Sequence, residues 1–214
     1  MEIQKFIEPF TYYIIDDIIT MDENKRIYDK LISNNYDRDE PSEHSQGLHV
    51  SFQDIEKKIY DSLDNIILEN LNSNDGQWKG GFQEHFDVVL PPHTDWRYHN
   101  LKNMGYGTYT EDTETDDIKL IDSGGVIKGL VYIGDPTLNY VDYGTKIYTP
   151  IPDRSEYVKG GYSHTEVKFK PCRAIVFVTS ENSLHGTDFN SGFPYKRYTY
   201  CFEYYPKKLL KRLG

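Results

Sequence analysis

The chain of 214 residues holds only two cysteines, Cys172 and Cys201. That density excludes a small domain stapled by disulfides and suits a reducing compartment in which both thiols stay free. Long apolar runs are missing too: nothing approaches the roughly 20 residues that cross a bilayer as a helix, so a membrane-embedded protein is not expected. The first twenty residues carry Glu2, Glu8, Asp16 and Asp17 and lack the basic start and small-residue cleavage site of a secretion signal. A soluble, cytoplasmic protein is the expectation. Positive charge is scarce, with 24 Lys and Arg against 34 Asp and Glu and a formal net charge of −10. A field of that sign repels phosphate backbones and anionic lipid, which disfavours nucleic acid and membrane surfaces as partners.

Apolar and aromatic residues are ample, at 37% and 14%, with 19 tyrosines. One substantial core can be buried, and a single domain over 1–214 is expected. Its first part, 1–75, reads as a strand and supporting helices. Residues 10–19 are β-branched and aromatic. Thr20-Met21-Asp22-Glu23 has the form of a capping box opening a helix to about Ser33, and 34–50, with Pro41 and Gly47, reads as irregular. From Ser51 to Leu71, apolar residues recur at intervals of three and four (Ile55, Ile59, Leu63, Ile66, Ile67), the stripe of a helix lying on a sheet.

Gly76, Gly80 and Gly81 read as the end of the helical part. In 76–207 the pattern turns to strands, at about 82–90, 126–134, 144–149, 165–169, 174–179 and 197–205. Helices followed by many strands point to a mainly β fold, a sandwich or barrel with helical support. The stretch 97–125, with its acidic run at 111–117, is too long for a hairpin and reads as a lid or a solvated insertion. The basic stretch 207–213 reads as a frayed tail rather than an anchor.

Within this pattern one constellation carries chemistry. His93 and Asp95 stand two apart, and on a strand they project from one face while Thr94 turns away. His185 follows 90 residues after Asp95, just beyond the buried-looking strand Ala174-Ile175-Val176-Phe177-Val178, and Arg197 comes next. Two imidazoles and a carboxylate can occupy one triangular face of six-coordinate Fe(II) and leave the other face for a co-substrate and O2. His164-Thr165-Glu166 repeats the spacing but opens a strand only 21 residues before His185. His44, His49, His85 and His99 read as surface or hydrogen-bonded histidines.

Taken in order, Pro91-Pro92-His93-Thr94-Asp95, Leu130-Val131-Tyr132-Ile133, Gly144-Thr145-Lys146-Ile147-Tyr148, Glu181-Asn182-Ser183-Leu184-His185-Gly186 and Arg197-Tyr198-Thr199-Tyr200 resemble the Fe(II)- and 2-oxoglutarate-dependent dioxygenases, in particular their prolyl-4-hydroxylase-like branch. The resemblance covers about 82–205 and implies a double-stranded β-helix, or jelly roll. It implies that His93, Asp95 and His185 hold iron and that Arg197 receives the distal carboxylate of 2-oxoglutarate. Tyr132 and Thr199 are further expected contacts of that co-substrate.

An Arg197 that points inward takes Thr199, Cys201 and Glu203 with it, and sends Tyr198, Tyr200, Phe202 and Tyr204 to the face covered by the helices. The expected reaction is hydroxylation of a C–H bond in a peptide, prolyl peptides included, or in a small molecule, with succinate and CO2 as co-products. The competing expectation is a jelly-roll or cupin-like protein that binds a metal or ligand without turnover. Composition is silent on oligomeric state.

Overall fold

The computed structural model describes residues 1–41, 45–72, 74–85, 89–93, 127–140, 143–149, 164–179, 183–188 and 195–206, with backbone alone for 89–93 and 188. In chain order the elements are β1 (Glu2–Phe6), β2 (Tyr12–Asp16), α1 (Met21–Ile32), β3 (Ser45–Leu48), α2 (Gln53–Leu71), β4 (Gly76–His85), β5 (Val89–His93), β6 (Ile127–Ile133), β7 (Thr145–Tyr148), β8 (His164–Val167), β9 (Ala174–Val178), β10 (His185–Asp188) and β11 (Arg197–Pro206). They form a seven-stranded sheet in the order β1-β2-β9-β6-β11-β4-β3 and a four-stranded sheet in the order β5-β10-β7-β8. The stretches 97–125 and 207–213 lie outside the described residues. Among the described residues no helix is long and apolar enough to cross a membrane.

Strand alternation decides which residues meet which layer. On β11, Tyr198, Tyr200, Phe202 and Tyr204 share one buried cluster with Ile27 and Leu31 of α1 and with Ile55, Ile59, Leu63, Ile66 and Ile67 of α2. The opposite face of the large sheet contributes Tyr12, Tyr132, Ile175 and Phe177 to a second cluster, with Ile147 and Val167 of the small sheet. The helices therefore cover the outer face, and the space between the sheets is the interior. Each fully buried aliphatic side chain stabilises by roughly 2 kcal/mol, so the α2 stripe contributes on the order of 10 kcal/mol, an upper estimate. Docking, more than intrinsic propensity, holds that helix.

Local signals set the helix starts. The Thr20 hydroxyl accepts from the Glu23 amide, and Glu23 accepts from the Thr20 amide at 2.6 Å, the expected capping box. Glu23 also takes an ion pair from Lys58 at 2.7 Å, which ties α1 to α2. Asn24, fully buried, donates from Nδ2 to the Gly134 carbonyl at 2.7 Å and accepts from the Gly134 amide at 3.2 Å. It satisfies both backbone groups where the chain leaves β6.

Two elements depart from expectation. The glycines read as ending the helical part lie inside β4, a ten-residue strand paired along its whole length with β11. Aromatic bulk explains this: a Cβ on Gly80 would stand 2.4 Å from the Tyr200 hydroxyl and 2.7 Å from that of Tyr60, so only glycine lets these rings close over the strand. Residues 45–48, read as irregular, form β3 by pairing with β4, a long-range contact that local composition does not reveal.

Candidate metal and co-substrate site

β10 lies between β5 and β7 in the small sheet. Its first residue, His185, is in register with His93, the last residue of β5, and with Ile147 of β7. The two expected histidine ligands, 92 positions apart in sequence, are thus neighbours across one strand pair. The pairing shifts register between His185 and Thr187, an irregularity of the kind that re-aims a side chain. The His185 ring meets Phe177 of the large sheet, centroids 4.5 Å apart, so it faces the interior.

The tautomer of His185 follows from its partner. Nδ1 lies 2.8 Å from the Ser183 carbonyl, which can only accept, so Nδ1 carries the proton and the lone pair of the neutral ring is on Nε2. A hydrogen bond to backbone at one ring nitrogen and a lone pair at the other is the usual state of a metal-binding imidazole. His93 is described by its backbone alone, and Asp95, the expected third ligand, lies outside the described residues.

Arg197 opens β11 and is wholly buried. Nε donates to the Tyr143 carbonyl at 2.9 Å and Nη2 to Thr145 Oγ1 at 3.3 Å, while Cζ stands 5.5 Å from the centre of the Tyr132 ring. The Tyr143 segment is itself held, because the Tyr143 hydroxyl donates to the Tyr195 carbonyl at 2.8 Å. Burial pushes the guanidinium pKa below its ordinary value, a measure of how little solvent serves the charge. A planar cation fixed in a dry site is suited to receive a carboxylate with two parallel hydrogen bonds.

Tyr132, on β6, is fully buried beside it. Its hydroxyl donates toward Thr145 Oγ1 at 2.8 Å and lies 3.3 Å from the Val167 carbonyl. Thr145 Oγ1 therefore bridges Tyr132 and Arg197, accepting from the guanidinium and sharing a proton with the phenol. Thr145 is a site residue that spacing alone did not single out, though it stands in one of the segments that carry the resemblance.

Thr199 is buried two residues on, on the same face as Arg197. Its hydroxyl is 2.8 Å from His85 Nε2 and 3.3 Å from Cys201 Sγ, and the Cys201 thiol donates to Gln83 Oε1 at 3.4 Å. His85 is the cross-strand partner of Arg197 on β4. It is hydrogen-bonded, as expected, and half-buried, with its Nδ1 sealed from solvent. Desolvation and the Arg197 charge push its pKa well below the ordinary histidine value, so the ring is neutral.

Toward the other end of β11 the inner face becomes charged. Phe177, under His185, is in register with Lys128 of β6, which pairs with Glu203, which pairs with Lys79. Lys128 and Glu203 form an ion pair of 3.0 Å. The expected inward set of Arg197, Thr199, Cys201 and Glu203 thus lines one side of the interior.

His164, the competing candidate, is exposed on the edge strand β8, two strands from β10, with its ring against Tyr148. A cleft of about 680 Å³ on the helical side is lined by Arg26, Tyr36, His49 and Phe52 and includes none of these groups. Its charges are engaged locally, Arg26 by Asp54 and His49 by Asp39.

Two facing antiparallel sheets, with His93 and His185 in register across the small one and a buried Arg197 on the large one, define a jelly roll. Solved structures bear out the fold. HygX from Streptomyces hygroscopicus, with nickel and 2-oxoglutarate bound, superposes with a TM-score of 0.61 at 16% identity, covering 92% of this chain and 83% of that one. A Pseudomonas putida prolyl-4-hydroxylase gives 0.58 at 9% identity over 92% of both chains. The non-haem, α-ketoglutarate-dependent epimerase SnoN of nogalamycin biosynthesis gives 0.50 at 12% identity, over 91% and 76%. No family model and no curated protein matches the sequence.

Proposed function

We propose that the chain is an Fe(II)- and 2-oxoglutarate-dependent oxygenase that hydroxylates a C–H bond of a peptide, prolyl peptides included, or of a small molecule. The observation that carries this reading is the pairing of His185 with His93 in register, His185 presenting Nε2, in the same interior as a wholly buried Arg197. His93, Asp95 and His185 would hold the metal, and Arg197, with Thr145 and Tyr132 behind it, the distal carboxylate of 2-oxoglutarate; Thr199 stands one step further along β11. Iron with 2-oxoglutarate and O2 would supply the oxidising power for hydroxylation, with succinate and CO2 released.

The residues of the chain bind, orient and exclude water. Ser183 fixes the His185 ring, the Tyr143 carbonyl and Thr145 fix the guanidinium, and Phe177 closes the apolar side of the interior. The Lys128–Glu203 pair, in register with Phe177, supports a polar substrate, and the acidic charge of the chain supports a small molecule or peptide over nucleic acid. One HygX structure holds hygromycin B, a small molecule, in the same fold.

The test is anaerobic absorption titration of the Fe(II)-loaded protein with 2-oxoglutarate. The weak visible charge-transfer band of the chelate is expected in the wild type and not in His93→Ala or Asp95→Ala. Folded protein that takes up Fe(II) without that band would be a binding module instead. Succinate release in the presence of candidate substrates then identifies the molecule hydroxylated.

A further inference from the structure

His85 has no part in the ligand set described above, and its surroundings are unusual. Part of the residue reaches the surface, but Nδ1 is sealed from solvent and makes no hydrogen bond. A buried imidazole nitrogen left so costs about 1–3 kcal/mol unless a ligand serves it. Directly across the strand pair is Arg197. Directly opposite residues project from the same face with Cβ atoms about 5 Å apart, so imidazole and guanidinium flank one volume.

The hydrogen-bond chain behind the ring gives Nδ1 a chemical sense. The Gln83 Oε1 atom only accepts, so Cys201 gives it the thiol proton. Thr199 then has one proton to place, on His85 Nε2 or toward Cys201 Sγ. When Thr199 donates to Nε2, the neutral ring carries its proton on Nδ1 and offers a hydrogen-bond donor beside Arg197. The other arrangement would turn a lone pair toward an incoming carboxylate and repel it.

We propose that His85 is a binding residue for the dicarboxylate co-substrate, donating from Nδ1 to the carboxylate that Arg197 receives, with Thr199 selecting the tautomer. This rests on the function proposed above. It turns Thr199 from a direct contact into the residue that sets its neighbour's proton, and it gives the pocket a neutral donor opposite a cationic one. A carboxylate so held has its oxygens served from two strands, β4 and β11, which fixes its rotation as well as its position.

The experiment compares wild type, His85→Leu and His85→Asn in the anaerobic Fe(II) titration with 2-oxoglutarate, after circular dichroism and Fe(II) uptake have shown each to be folded. Asparagine places an N–H close to where Nδ1 lies, whereas leucine offers none. The expected result is a 10- to 100-fold weaker Kd for the leucine variant, the loss of one hydrogen bond to a charged group, with most of it restored by asparagine. Equal Kd in wild type and both variants overturns the assignment of His85 and leaves the oxygenase reading standing; no band in wild type overturns both. Independently of any variant, 15N spectra of the imidazoles in Zn(II)-loaded wild type should show His85 protonated on Nδ1 when 2-oxoglutarate is added. His85 resonances unmoved by 2-oxoglutarate that binds would count against the proposal equally.

Discussion

Replacing Arg197 with methionine separates binding from stability. The guanidinium is wholly buried, and its hydrogen bonds include those to the Tyr143 carbonyl and Thr145 Oγ1. Losing them costs about 1 kcal/mol each, offset by no longer desolvating a cation, so the ligand-free variant should lie within about 2 kcal/mol of wild type. A carboxylate about 4 Å from that charge, at an effective dielectric of about 20, gains about 4 kcal/mol, or some three decades in Kd. The assay is urea unfolding of Zn(II)-loaded protein with and without 2-oxoglutarate. At 100 times Kd the wild type gains about 2.7 kcal/mol, and Arg197→Met at the same concentration should gain almost nothing. Equal stabilisation of the two proteins would refute the role of Arg197. A ligand-free loss above about 4 kcal/mol would refute the stability argument by making Arg197 a structural clamp.

Asn24→Leu keeps the volume but orphans the amide and carbonyl of Gly134, so a loss of about 2–4 kcal/mol is expected in urea unfolding, and a loss below 1 kcal/mol would contradict the buried-pair reading. Hydrogen bonds from Arg173 hold the Asp16 carboxyl below its ordinary range, with Lys170 adding to the effect. Because the folded pKa lies below the unfolded one, this contribution is present above about pH 4 and is lost as the pH falls through the folded value; Asp16→Asn should lower stability at pH 7 by roughly 1–2 kcal/mol and flatten the acid limb, seen as Tm against pH. Burial pushes the Cys172 thiol up to about 11 and raises that of Cys201, so native protein at pH 8 should react slowly with a disulfide reagent and release two equivalents only after denaturation. Rapid reaction of either thiol in the native state would show its thiolate to be accessible.

Much of the local architecture was legible because it depends on local chemistry. Thr20 and Glu23 cap one helix through their own backbone amides, and the 3.6-residue period of the α2 stripe fixes which face docks. The two-residue period of β11 likewise divides its aromatic face from its polar one before any partner is known. Gly80 misled because a glycine is a breaker by itself and a necessity only under the rings of Tyr60 and Tyr200, which come from elsewhere in the chain.

The site divides along the same line. By itself the sequence determined the residue types that can hold a metal and a dicarboxylate, with the order in which they occur. Only the tertiary structure decided that His93 and His185 are neighbours, that His164 is on an exposed edge, and that Thr145 and His85 join Arg197. Strand register sets those choices, and register is a long-range property: moving β4 by one residue against β11 would turn His85 to the opposite face, with no change in sequence to announce it.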